Sequence, residues 1–142
     1  MKTRGFLMTM FAVALSFAPQ VVSNSSAAGT YSAHLKSPLA GQVLYPGQKI
    51  RVEWRSVLPH IDLGACEMEV WLSLDGGRTF TMWISPWMDP KARYFYWTVP
   101  NTPTNAAVMD VRFGCEPVYP ESYAPQPAST FVIAQTALPA SH

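Results

Sequence analysis

Charge is scarce in this chain. Asp, Glu, Lys and Arg make up 13% of its 142 residues, and the formal net charge is +1. No basic stripe forms along it, so the electrostatic footprint of a nucleic-acid binder is missing. Helical periodicity is scarce too. The chain holds 13 prolines, and after residue 37 few windows long enough for a helix lack one. The exception in length, residues 62–85, contains Gly64, Gly76 and Gly77 and alternates with period two. Cysteine is limited to Cys66 and Cys115. With His34, His60 and His142 scattered, no metal-ligand spacing exists, and the sequence calls for no metal. A Gly-x-Ser-x-Gly elbow, a phosphate loop and a dinucleotide fingerprint are all lacking, so the sequence calls for no cofactor either.

Long hydrophobic runs are also lacking. The longest, Gly5–Ala18 (GFLMTMFAVALSFA), falls short of the ~20 residues that span a bilayer. It follows Lys2 and Arg4, ends before Pro19, and is succeeded by the small residues of NSSAAG, with Ser26 and Ala28 placed for cleavage before Gly29. This is the three-part layout of a secretory signal peptide. The expectation is a leader over 1–28 and a mature β-domain over 29–142, secreted or periplasmic, with no membrane span after removal of the leader. Two cysteines in an exported chain favour a disulfide.

What the sequence does have is strand alternation. Lys49–Arg55 (KIRVEWR) sets Ile50, Val52 and Trp54 against Arg51, Glu53 and Arg55. Cys66–Leu74 sets Cys66, Met68, Val70, Leu72 and Leu74 against Glu67, Glu69, Trp71 and Ser73. Thr79–Ile84, Tyr94–Val99, Val108–Cys115 and Thr130–Ala134 alternate in the same way, and a short strand surrounds Leu35. Pro46-Gly47, Asp75-Gly76-Gly77 and Pro100-Asn101-Thr102-Pro103 supply the turns. About seven short strands at this spacing predict an all-β, antiparallel β-sandwich. Cys66 and Cys115 share the parity of the apolar residues around them. A bridge between them is reasonable if their strands are neighbours in one sheet or face each other across the core.

The octet Ser73–Phe80 (SLDGGRTF) lies between two strand patterns. Gly76 and Gly77 permit the positive φ of a tight hairpin. Asp75, Ser73 and Thr79 can hydrogen-bond within the turn, and Phe80 can lie over it. Each marked position has a structural use, so Ser73, Asp75, Gly77, Thr79 and Phe80 are expected to build a turn rather than a site. The octet resembles the Asp-box, the hairpin repeated in sialidase-type propellers and found singly in other secreted β-rich proteins. A sialidase would also need an Arg cluster, a Tyr–Glu pair and an acid Asp, which the sequence does not display.

A wider pattern covers most of residues 29–142: Ser37-Pro38, Gly41 and Gly47, then Val52-x-Trp54, the octet, Tyr96–Pro100, and Phe131–Ile133. It resembles the fibronectin-III-like or immunoglobulin-like modules of bacterial exported proteins. It is also similar to the extracellular domain of the Ser-Thr-rich fungal cell-wall-synthesis family. The resemblance implies a sandwich that serves as a spacer or binder.

Catalytic groupings are thin. His60 and Asp62 share a loop with no supporting motif. Glu67 and Glu69 share a strand face, roughly 7 Å apart by strand rise, a separation that glycosidase carboxylates use, but without a sugar-cleaving motif around them. Recognition is the stronger reading. Trp71, Trp83, Tyr94 and Tyr96 take the parity opposite to the core, and Trp87 sits in a loop. These aromatics could contact a protein or stack on sugar rings. The Pro-rich stretch Gly114–Ser129, with Tyr119 and Tyr123, is a second candidate surface. The expectation is therefore a non-catalytic, exported interaction module whose partner is an extracytoplasmic protein. The alternative is a carbohydrate-binding module for a cell-envelope glycan.

Overall fold

A computed structural model of the chain describes residues 29–136. The expected leader over 1–28 lies outside the described residues. Nine strands follow in order: β1 (Ser32–Ser37), β2 (Val43–Leu44), β3 (Lys49–Val57), β4 (Glu67–Ser73), β5 (Met82–Trp83), β6 (Tyr94–Thr98), β7 (Thr104–Cys115), β8 (Tyr119–Ser122) and β9 (Phe131–Ile133). They form a three-stranded sheet, β1-β3-β6, and a larger sheet in the order β2-β9-β7-β4-β5, with β8 also paired to β7. The two sheets face each other across one core, so the fold is an all-β sandwich. Among the described residues no helix is long and apolar enough to cross a membrane.

The alternation read from the sequence is what builds the core. Val52 and Trp54 from β3, and Phe95 and Trp97 from β6, point into it from the small sheet. Met68, Val70 and Leu72 from β4, and Met109, Val111 and Phe113 from β7, meet them from the large one. Trp54, Phe113 and Phe131 are the largest side chains fully enclosed. Burying each contributes on the order of 2–3 kcal/mol.

Three features depart from the expectation. The pairing of β2 with β9 is parallel, Val43 opposite Val132, so the sandwich is not wholly antiparallel. The expected strand over Thr79–Ile84 shrinks to Met82–Trp83 because the octet holds Thr79 in its turn. Phe80 lies beside the turn, 3.8 Å from the position of a Cβ at Gly77. The Pro-rich stretch Gly114–Ser129, in which the sequence predicts no further strand, contains β8 and a 3-10 turn at Pro127–Ser129, and it bonds back to β7 through Gln126 N to Met109 O at 2.8 Å.

Cys66 and Cys115 are joined by a disulfide. Glu67 pairs with Gly114, so the bridge closes the end of a neighbouring strand pair within one sheet. Of the two geometries open to the sequence, this is the in-sheet one.

Gln126 has a role that the sequence did not announce. Its side chain is buried. Leu35 N donates to its Oε1 at 2.9 Å, and its Nε2 donates to Ala33 O at 2.8 Å and Ala124 O at 2.7 Å. A side-chain amide thus takes the place of a neighbouring strand along the outer edge of β1.

Candidate functional site

The aromatic residues singled out by parity do not form one patch. Trp71, Trp83, Trp87 and Tyr123 belong to the outer side of the large sheet. Tyr94 and Tyr96 belong to the outer side of the small sheet, the opposite face of the molecule. The split follows from topology: β4 and β6 lie in different sheets, and each turns its non-core parity outward.

On the large sheet, Trp71 pairs across strands with Trp83 on one side and Asp110 on the other. Trp71 is half-buried, and its Nε1 donates to Glu69 Oε1 at 2.7 Å. Trp83 is 46% exposed and Trp87 69% exposed. Their rings lie 5.7 Å apart with planes inclined by 33°. A local bulge holds Trp87 out. Ile84 N donates to Val70 O, the hydroxyl of Ser85 then accepts from Val70 N at 2.8 Å, and pairing resumes at Met88 opposite Met68. The Ser85 side chain replaces a ladder carbonyl, so the chain can loop outward between Ser85 and Met88 without leaving Val70 N unpaired.

Arg112, on β7, is the hub of this face. Its guanidinium lies 4.6 Å from the Trp71 ring centroid and 4.7 Å from that of Tyr123, with Phe80 further off at 5.9 Å. Its Nε donates to Asp110 Oδ2 at 2.7 Å, and an Nη lies 3.6 Å from Glu121 Oε1. The Asp110 carboxylate is almost fully enclosed and also accepts from Ala124 N at 2.8 Å. Burial pushes its pKa above the ordinary value, against the opposing pull of Arg112 and the Ala124 amide. Tyr123 is exposed, and its hydroxyl donates to Glu121, which raises the phenol's pKa. Tyr123, Arg112, Trp71, Trp83 and Trp87 therefore form a strip across the sheet.

Beside the strip is an open cleft of about 340 Å³. Glu67, Glu69, Glu116 and Glu121 line it, with Arg112 as the one cation and Gly114 in its floor. A Cβ at Gly114 would stand 3.4 Å from Glu121 Cα, in van der Waals contact with the strand that carries Glu121. Glu67 and Glu69, weighed as a carboxylate pair, thus belong to an acidic wall, and Glu69 is engaged by Trp71.

The face of the small sheet has the opposite character. Tyr94 and Tyr96 are 47% and 61% exposed. Arg51 sits over the Tyr94 ring at 4.0 Å, and Lys49 over that of Tyr96 at 5.5 Å. The two tyrosine rings meet edge to face at 79°.

Tyr119 departs from the expectation of a surface residue. It is half-buried and packs edge-on against core Phe113 at 5.6 Å. Its hydroxyl accepts from Tyr31 N and donates to Gly29 O, both at 3.4 Å. Tyr31 itself donates to Val111 O at 2.9 Å, and burial raises its pKa.

The octet closes on itself. Ser73 Oγ donates to Asp75 Oδ1 at 2.6 Å and accepts from Gly77 N at 2.9 Å. Thr79 donates its amide to Asp75 Oδ1 at 2.9 Å and its hydroxyl to Oδ2 at 2.6 Å. These bonds, those of Ser73 first and Thr79 next, hold the Asp75 carboxyl well below the usual carboxylate range. Gly76 and Gly77 have φ of 78° and 89°, the left-handed region that glycine tolerates best. A Cβ at Gly77 would be 3.6 Å from Val108 and 3.8 Å from Phe80. The turn is folded down over Val108 on the outer face, with Phe80 beside it.

Arg112 and Asp110 were missed by sequence reasoning, which followed only the apolar parity of Val108–Cys115. The signal was present: a charged pair two residues apart on one face of an otherwise apolar strand.

No protein family, curated protein or solved structure matches the chain.

Proposed function

We propose that this chain is an exported, non-catalytic recognition module, and that the tryptophan strip of the large sheet docks a protein partner. The observation that carries the reading is the solvent-exposed Trp83–Trp87 pair set beside an acidic cleft. Tryptophan and tyrosine around an arginine are the side chains that dominate protein interfaces. Trp71 and Arg112 are already fixed by Glu69 and Asp110, so little ordering cost remains for them on binding. The four glutamates favour a partner that presents Lys or Arg next to an apolar anchor. The best-placed carboxylates are occupied in holding Trp71 and Arg112, which suits a binding surface better than a proton-transfer site. The Cys66–Cys115 bridge suits an oxidising, extracytoplasmic compartment, as does the leader pattern.

A glycan is the less favoured ligand. Trp83 and Trp87 are inclined rather than coplanar, Trp71 has its face under Arg112, and the Tyr94 and Tyr96 faces carry cations. The test is capture from native envelope and secreted material with the wild-type domain and with a Trp83→Ala/Trp87→Ala variant of unchanged melting temperature. A stoichiometric partner held by the first and lost by the second supports the reading. Equal capture by both, or binding to polysaccharide alone, contradicts it.

A further inference from the structure

Every sheet edge exposes unpaired backbone groups, and folded proteins blunt their edges with short strands, proline, charge or cover. Here the outer strands are treated unequally. The edge of β1 is plugged by the Gln126 amide. β2 and β5 have only two residues each. β8 contains Pro120 and Glu121. β6 has none of these devices: it is the five-residue run Tyr94–Thr98, YFYWT, without charge or proline.

The register identifies the open groups. Opposite residues of an antiparallel pair alternate between hydrogen-bonded and non-bonded sites. Trp54 N donates to Arg93 O, and Val99 N donates to Gln48 O. With Val52 opposite Phe95 and Ile50 opposite Trp97, the amides and carbonyls of Phe95 and Trp97 therefore face β3. Those of Tyr94, Tyr96 and Thr98 point away from the sheet and have no hydrogen-bond partner among the described residues. All three residues are exposed.

The geometry points to β6 as a strand-addition site for an extended segment of another protein with acidic side chains on alternate positions. Charge selects that occupant. The outer face of the small sheet carries Lys36, Lys49, Arg51 and Arg55 against a single carboxylate, Glu53, which is already within 3.7 Å of Lys36 and 3.5 Å of Arg51. An added strand would place every second side chain on this face, next to Tyr94 and Tyr96 and the cations above their rings. Glutamates or aspartates at those positions reach Lys49 and Arg51. A second copy of β6 could satisfy the same backbone groups, but it would set one basic face beside another, which like charge opposes. The site lies in the sheet opposite the tryptophan strip, so it stands or falls independently of the strip's role.

The test uses a short peptide alternating Glu with Val, and its Lys-Val counterpart, with hydrogen exchange read at the amides of Tyr94, Tyr96 and Thr98. These amides are expected to exchange fast in the protein alone and to be protected when the Glu-Val peptide binds. Binding of that peptide should be roughly tenfold or more tighter than that of the Lys-Val peptide. Tyr96→Pro removes an edge-facing N–H and no bond to β3, and should abolish binding. Lys49→Glu/Arg51→Glu leaves the strand intact and should weaken the acidic peptide while favouring the basic one. Three results would overturn the proposal: no protection at saturating peptide, equal binding of both peptides, or amides already protected in the protein alone. The last would mean that a second copy or the chain's own ends cover the edge.

Discussion

Arg112 lies between the rings of Trp71 and Tyr123, 4.6 Å from one centroid and 4.7 Å from the other, while its Nε is bound to Asp110. One side chain thus neutralises an enclosed carboxylate and braces the aromatic strip.

Removing it leaves Asp110 buried and unpaired. Arg112→Ala is expected to cost about 3–5 kcal/mol of stability, read by denaturant unfolding. Asp110→Asn combined with Arg112→Met removes both charges and should recover much of that loss. A loss under ~1 kcal/mol for Arg112→Ala would mean that the pair is solvated in solution.

The two classes of tryptophan should separate cleanly. Trp54→Ala, which empties a core position, is expected to lose about 3–5 kcal/mol. Trp83→Ala, at the exposed edge, should stay within about 0.5 kcal/mol of wild type. Near-equal losses would place Trp83 in the core.

Gln126→Ala strips the outer edge of β1 of its partner. Ala33 O and Leu35 N lose their hydrogen bonds, and the expected cost is about 1–3 kcal/mol. Faster exchange of the Leu35 amide is the local readout. Gln126→Glu keeps the acceptor for Leu35 N but sets a buried carboxylate oxygen against the carbonyls of Ala33 and Ala124, and at neutral pH should cost at least as much as Gln126→Ala.

Asp75 predicts a pH dependence with a definite sign. Its folded-state pKa is depressed by the Ser73 and Thr79 hydrogen bonds. The stability it contributes is present above its unfolded pKa and is lost as pH falls through the acid range. Asp110, whose pKa is raised by burial, works in the opposite direction and loses its contribution as pH rises through its folded value. Asp75→Asn should therefore flatten part of the acid-side loss of stability. An unchanged acid profile would mean that the turn does not depend on the carboxylate.

Much of the fold was legible in the sequence, and the reasons are local. Strict alternation in KIRVEWR, CEMEVWLSL and YFYWTV leaves only one burial pattern, and that pattern assigns Val52, Trp54, Met68, Val70, Leu72, Phe95 and Trp97 to the core, where the structure has them. The cysteines share that parity, which makes a bridge reasonable once their strands meet, and the pairing of β4 with β7 brings them together. What failed were features set by non-local pairing. The parallel contact of β2 with β9, and the return of the Pro-rich stretch onto β7, depend on where distant strands lie. The strand expected over Thr79–Ile84 is short because the turn uses up the residues that would have continued it. The division of the aromatics between two faces was hidden because parity gives inside or outside but not which sheet.

The proposed docking role of Trp83 and Trp87 is open to a direct test. The direct measurement is the affinity of the captured partner for the wild-type domain and for Trp83→Ala/Trp87→Ala, at low and high salt. A loss of about 2 kcal/mol or more in the variant is expected, together with weaker wild-type binding at high salt because of the acidic cleft. Affinity that does not change with either substitution or salt would contradict the assignment of this face.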